Sequence, residues 1–131
     1  MAEHVATCSC GQLRITCEGD PIRVSLCHCL ECQKRTGAPF GTQARYASDK
    51  VKMEGRSSTW SRTGESGGVA EFHFCPVCSS IVWWIFPAMP GQVAVPVGAF
   101  ADPDFPKPIW QVYEERCHHW LKLDDIPVYT D

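Results

Sequence analysis

Three things are missing from this chain. No run of Lys or Arg exceeds the pair Lys34-Arg35, and the formal net charge is -3. Clustered cations are what grip a phosphate backbone, so no nucleic-acid partner is expected. No apolar stretch approaches the roughly 20 residues a membrane-crossing helix needs. The longest, Ile81 to Met89, is interrupted by Pro87, so no membrane partner is expected either. The first residues, Met1 to Cys8, show no basic stretch leading into an apolar one, which is the mark of a secretory signal. A cytoplasmic location is therefore the expectation. Charged residues make up 21% of the chain and hydrophobic ones 44%, as in a soluble globular protein. A length of 131 residues suits one domain, 1–131, around a modest core.

Cysteine, by contrast, is abundant. Of nine, seven fall into three tight groups: Cys8 and Cys10; Cys27, Cys29 and Cys32; Cys75 and Cys78. A secreted disulfide scaffold would carry an export signal and usually an even count. This chain shows neither. Cysteines two and three positions apart converge on one ion more readily than they pair in structural disulfides, so metal binding is the expectation.

Short alternating segments surround these groups. Val5 to Cys10 reads as a strand, and Leu13, Ile15 and Cys17 alternate with polar residues in a second, giving a hairpin with the Cys-Ser-Cys at its tip. Ile22, Val24 and Leu26 alternate and lead directly into Cys27. Residues 29–36 suit a short helix stopped by Gly37. Further strands are predicted over 40–46, 51–53, 57–62, 69–74, 81–86, 93–97, 109–113 and 120–123. The prolines between Asp102 and Pro108 exclude regular structure there. The fold class expected is mainly β, with at most one short helix and no internal repeat.

The two outer pairs follow predicted strands and together make a four-thiolate set, enough to close the tetrahedron of a structural zinc. Cys27, Cys29 and Cys32 have no fourth cysteine nearby. Three protein ligands leave a tetrahedral ion one open position, the pattern of a catalytic site. Three thiolates on Zn²⁺ leave a net charge of -1, which weakens the ion as an activator of water and favours a soft incoming thiolate. A small thiol is thus the partner this centre suits. Two alternatives stand beside this reading. The three thiols could take a distant fourth ligand among Cys117, His118, His119 and His73, or the clusters could share ions in another combination.

The order Cys8-Ser-Cys-Gly11, Cys27-His-Cys-Leu-Glu-Cys32 with Thr36-Gly37-Ala38-Pro39-Phe40, and Phe74-Cys75-Pro-Val-Cys78 resembles the glutathione-dependent formaldehyde-activating enzymes, a family that includes centromere protein V-type domains. The resemblance runs from about Thr7 to Tyr129, and Trp120 to Pro127 is similar to the family's closing segment. It implies a β-tent of short antiparallel strands built around zinc sites. It also implies a structural zinc at Cys8, Cys10, Cys75 and Cys78 and a catalytic zinc at Cys27, Cys29 and Cys32. The activity it implies is that of a carbon–sulfur lyase acting on S-(hydroxymethyl)glutathione, with glutathione as the thiol. One position departs: the family usually has Gly after the last cysteine, and this chain has Ser79.

Around the centre, Lys34, Arg35 and Arg45 could meet the carboxylates of glutathione, against a default of solvated surface charge. His28 should point away from the ion if its stretch is extended, and His118 and His119 should lie at the surface. Cys17 reads as a core residue. Of Trp83 and Trp84, one should face the core and the other a cleft or partner. Phe40 and Trp110 read as packing residues. A second class of function also fits the metal pattern, namely a non-catalytic zinc module binding a protein partner.

Overall fold

The computed structural model describes residues 2–64 and 67–129. Strands β1 (Glu3–Thr7) and β2 (Arg14–Glu18) form the expected hairpin. β1 stops at Thr7, so Cys8 to Cys10 lie in the turn beyond the strand where Cys10 had been expected. Strands β3 (Arg23–Cys27) and β4 (Gly41–Ala47) flank the helix α1 (Leu30–Thr36). β5 (Val51–Glu54) returns to pair with β2, completing a three-stranded sheet in the order β1-β2-β5. β6 (Ser58–Thr63), β7 (Val69–Phe74), β8 (Ile81–Ile85), β9 (Gln92–Val95) and β10 (Trp110–Val112) join the larger sheet, ordered β10-β3-β4-β9-β8-β7-β6.

Every pairing is antiparallel except that of β10 with β3, which is parallel. The remaining pairs are the short antiparallel strands that were expected. The chain reaches β10 only after the proline-rich stretch 102–108, so no tight turn forces it to reverse against β3. The predicted strand over 120–123 is absent. The side-chain amide of Gln111 donates to the carbonyls of Leu123 and Ile126, at 3.1 and 2.8 Å, and wraps this segment as a loop.

The helix forms where its ends are specified. Cys29 is the N-cap, with its sulfur accepting the Cys32 N–H. Gly37, at φ 68°, closes the other end and donates to the Gln33 carbonyl. Glu31 in the first turn and Lys34 and Arg35 in the last complement the helix dipole.

The main core lies between the sheets. Leu13, just before β2, and Ile15 and Cys17 within it pack with Val24, Tyr46, Val93 and Val95 of the large sheet. Cys17 is fully buried, as expected, and burial pushes its thiol up to about 12. A second apolar cluster, Ala70, Phe72, Trp84 and Ala94, covers the other face of the large sheet. Trp83 belongs to the first cluster and Trp84 to the second, because successive strand residues point to opposite faces. Both are buried, so neither opens onto a cleft. Cys27 lies on the same face as Trp84, two residues beyond Ser25 and on the side opposite Val24.

Candidate metal centres

The hairpin turn carrying Cys8 and Cys10 meets the turn between β7 and β8 carrying Cys75 and Cys78. The four sulfurs converge to within 4.8 Å of one another. A tetrahedral ion with metal–sulfur bonds of about 2.3 Å holds its ligand sulfurs about 3.8 Å apart. The Cys8–Cys10 and Cys10–Cys75 sulfurs stand 3.6 and 3.7 Å apart, so this set fits such an ion. Disulfide sulfurs would be about 2.0 Å apart, and all nine cysteines are free.

Backbone N–H groups point at these sulfurs: Leu13 at Cys8, Val77 at Cys75 and Cys10 at Cys78, over 3.3 to 3.4 Å. Donation from the Ser80 and Cys10 amides draws the Cys78 thiol down to about 5. Thiolates are what a metal takes, so the fold prepares Cys78 as a donor. Gln12, which nothing in the sequence singled out, adds a second kind of support, from a side chain. Its Nε2 donates to Cys75 Sγ at 3.0 Å and to the Arg56 carbonyl at 2.7 Å, while its Oε1 accepts from the Arg56 N–H at 2.9 Å. One side chain thus ties the cysteine cluster to the β5–β6 turn.

Ser79 sits in the second cysteine turn at φ 70°. Its N–H closes the turn onto the Cys75 carbonyl at 2.8 Å. A side chain in the left-handed region costs roughly 1–2 kcal/mol that glycine avoids, partly offset by glycine's freer unfolded chain. Ser79→Gly is therefore expected to stabilise the protein by about 1 kcal/mol, read as a raised melting temperature at unchanged metal content.

The second group forms where β3 runs into α1. Cys27, Cys29 and Cys32 also lie with their sulfurs within 4.8 Å of one another. Among the described residues no fourth Cys, His, Asp or Glu completes this set. His73 is engaged elsewhere, between Glu71 at 2.8 Å and Ser57 at 3.1 Å. His118 is exposed and bonded to Gln33 Oε1 at 2.8 Å, and His119 is exposed. Cys117 lines a cavity of about 330 Å³ with His28 and Gln111, outside the sulfur group. His28 is buried, with Nε2 bonded to Gln111 Oε1 at 2.7 Å, and is not part of the sulfur group.

The Cys29 and Cys32 amides donate to Cys27 Sγ and Cys29 Sγ at 3.5 and 3.3 Å. Donation from the Cys27 thiol, and after it from Cys29 and the Arg35 guanidinium, draws Cys32 down to about 5 against the opposing effect of burial. Cys27 moves the other way, held protonated beside Cys32.

Arg35 departs from the solvated surface charge taken as its default. Its guanidinium lies over the rings of Trp84 and Phe72, at 4.6 and 5.0 Å, and beside Cys32. Arg45 departs too, being 8% exposed and 4.3 Å above the Phe86 ring. Lys34 keeps to the expectation, exposed and paired with Glu31 at 2.8 Å. Gly41, opposite Cys27 on β4, leaves the room that Arg35 uses. A Cβ there would stand 3.1 Å from Arg35 Nη2 and 3.3 Å from Cys32 Cβ. Gly41→Ala is expected to displace that corner of the cluster. The readout is metal content after mild chelation: the three-cysteine site loses its ion faster while the four-cysteine site keeps its own.

A sequence model described as "Glutathione-dependent formaldehyde-activating enzyme" matches residues 3–116. The chain belongs to this family. The matched span takes in all seven clustered cysteines and ends before the closing segment, Trp120 to Pro127. The family's chain is also similar in fold to the crystal structure of a Rhodobacter sphaeroides protein, a structural genomics target. The likeness has a TM-score of 0.56 at 19% identity, covering 72% of this chain and 85% of that one. At that identity it bears on the fold alone. No curated protein sequence matches significantly.

Proposed function

We propose that the protein is a zinc-dependent carbon–sulfur lyase of the glutathione-dependent formaldehyde-activating type, interconverting S-(hydroxymethyl)glutathione with glutathione and formaldehyde. The observation that carries this reading is the three-sulfur set with no fourth ligand among the described residues. Cys8, Cys10, Cys75 and Cys78 would hold a structural zinc, and Cys27, Cys29 and Cys32 a catalytic one. A zinc bound by the three would supply a position for the substrate sulfur and stabilise charge on the developing alkoxide.

In the forward direction the glutathione sulfur bonds to the formaldehyde carbon, and the carbonyl π pair becomes the alkoxide. The thiol's proton ends on that oxygen. In reverse the carbon–sulfur bond breaks and the pair returns to sulfur. The chain's own groups prepare the centre. Backbone N–H groups hold the Cys27 and Cys29 sulfurs, and Arg35 offsets the negative charge that three thiolates bring. Thiolate clusters of this kind fit a reducing compartment, here the cytoplasm.

Spectroscopy of the cobalt-substituted protein tests the proposal. Glutathione should perturb the sulfur-to-metal absorption, and formaldehyde should then be consumed in proportion to enzyme. An inert spectrum and no turnover would instead favour the non-catalytic zinc module.

A further inference from the structure

The strip of sheet that holds Cys27 continues into an arrangement that stability alone does not explain. Arg23 on β3 stands directly opposite Arg45 on β4. Like charges in directly opposed cross-strand positions repel. Among the described residues no carboxylate pairs with either guanidinium. Arg45 is nine-tenths buried, and it is held by neutral groups only. Its Nε donates to Gln43 Oε1 at 3.2 Å, its Nη1 to Gln92 Oε1 at 3.1 Å, and the guanidinium lies over Phe86. These contacts orient the charge without neutralising it. Burial, and then Arg23 beside it, push Arg45 down to about 10, still charged at neutral pH. Arg23 has the Trp110 ring 6.0 Å away, and its buried Nε has no hydrogen-bond partner.

We propose that Arg23 and Arg45 form an anion receptor that recognises a carboxylate of a thiol substrate whose sulfur lies at the three-cysteine centre, a proposal that rests on the thiol reading of that centre. The register places them for it. Cys27 and Arg23 are four residues apart on one strand, hence on the same face and about 13 Å apart along it. Ser25, which is buried, and Gln43 lie between them as an opposed pair, and Arg35 occupies the room above Gly41 opposite Cys27. A tripeptide spans about 10 Å when extended. Long arginine side chains close the remainder, whereas a thiol as short as cysteamine reaches the sulfurs and not the arginines. The pair therefore selects anionic thiols of about tripeptide length over short thiols without a carboxylate.

Calorimetric titration of the full-length metal-loaded protein tests this with glutathione, its dimethyl ester, and S-methylglutathione, which keeps both carboxylates but has no free thiol. Glutathione should bind about tenfold more tightly than its diester, and S-methylglutathione, without a thiol for the metal, should still bind through its carboxylates. Arg23→Gln, at a half-exposed position, should bring glutathione and its diester within about twofold and weaken S-methylglutathione about tenfold. Arg23→Lys, which keeps the charge and loses the planar fork, should retain part of the preference. A wild-type protein indifferent to esterification, or an Arg23→Gln protein that keeps the preference, overturns the proposal. S-methylglutathione separates the two readings. If its binding depends on Arg23 while glutathione leaves the cobalt spectrum unchanged, the anion receptor stands and the thiol reading of the metal centre fails.

Discussion

Cys75→Ala is expected to yield insoluble or molten protein, the largest effect of any single substitution here. Cys75 is fully buried, and its sulfur takes part in three interactions: 3.7 Å from Cys10, 3.0 Å from Gln12 Nε2 and 3.4 Å from the Val77 N–H. The four-cysteine cluster joins the tip of the β1–β2 hairpin to the β7–β8 turn, and so joins the small sheet to the large one. An ion in such a site contributes about 10–16 kcal/mol of apparent binding free energy. A domain's net stability is about 5–15 kcal/mol. Losing one of four thiolates therefore removes a quantity comparable with the whole. Far-UV and near-UV circular dichroism, with zinc content, give the readout. A folded Cys75→Ala protein that melts like the wild type would contradict the structural role. Chelation of the wild type should give the same collapse without mutation.

Cys29→Ser should give the opposite separation: loss of function with the fold retained. Cys29 carries two roles, as a member of the three-sulfur group and as the N-cap of α1. Serine is among the preferred N-cap residues, so the Cys32 N–H keeps an acceptor and the helix keeps its start. The ligand role is lost, because a serine hydroxyl stays protonated and binds a soft-ligand site poorly. The expected result is one fewer metal ion per chain, a melting temperature within a few degrees of the wild type, and no spectral response to glutathione. A variant that retains all its metal, in a protein that glutathione never perturbs, would sink the open-site proposal. Ser79→Gly and Gly41→Ala act on the two centres separately, the first through backbone strain and the second through crowding.

Much of this architecture could be read from local chemistry. Alternation around Leu13, Ile15 and Cys17 and around Val24 and Leu26 located β2 and β3, because each has a face on the core. Gly37 marked the end of α1, since its left-handed cap needs a residue without a Cβ. The family's usual Gly at the position of Ser79 fits the backbone there, which has φ 70°. What failed was of another kind. The stretch 120–123 has strand-like residues, yet the edge beyond β10 is taken by Val128 and by the amide of Gln111. Trp83 and Trp84 both found cover because the large sheet is packed on two faces, which no single strand announces.

The sequence by itself determined that this is a mainly β protein with cysteines spaced to hold metal, and which seven cysteines group in which three clusters. Ligand spacing within a cluster is a short-range property, and two or three residues of chain suffice to express it. Tertiary structure decided how the clusters combine. It joined Cys8 and Cys10 to Cys75 and Cys78 and left Cys27, Cys29 and Cys32 a group of three among the described residues. It also decided which residues support each centre. Gln12, Arg35 and Gly41, and the Arg23–Arg45 pair, meet their partners across strands and turns distant in sequence. Such contacts depend on sheet register, and register is set by the packing of the whole chain.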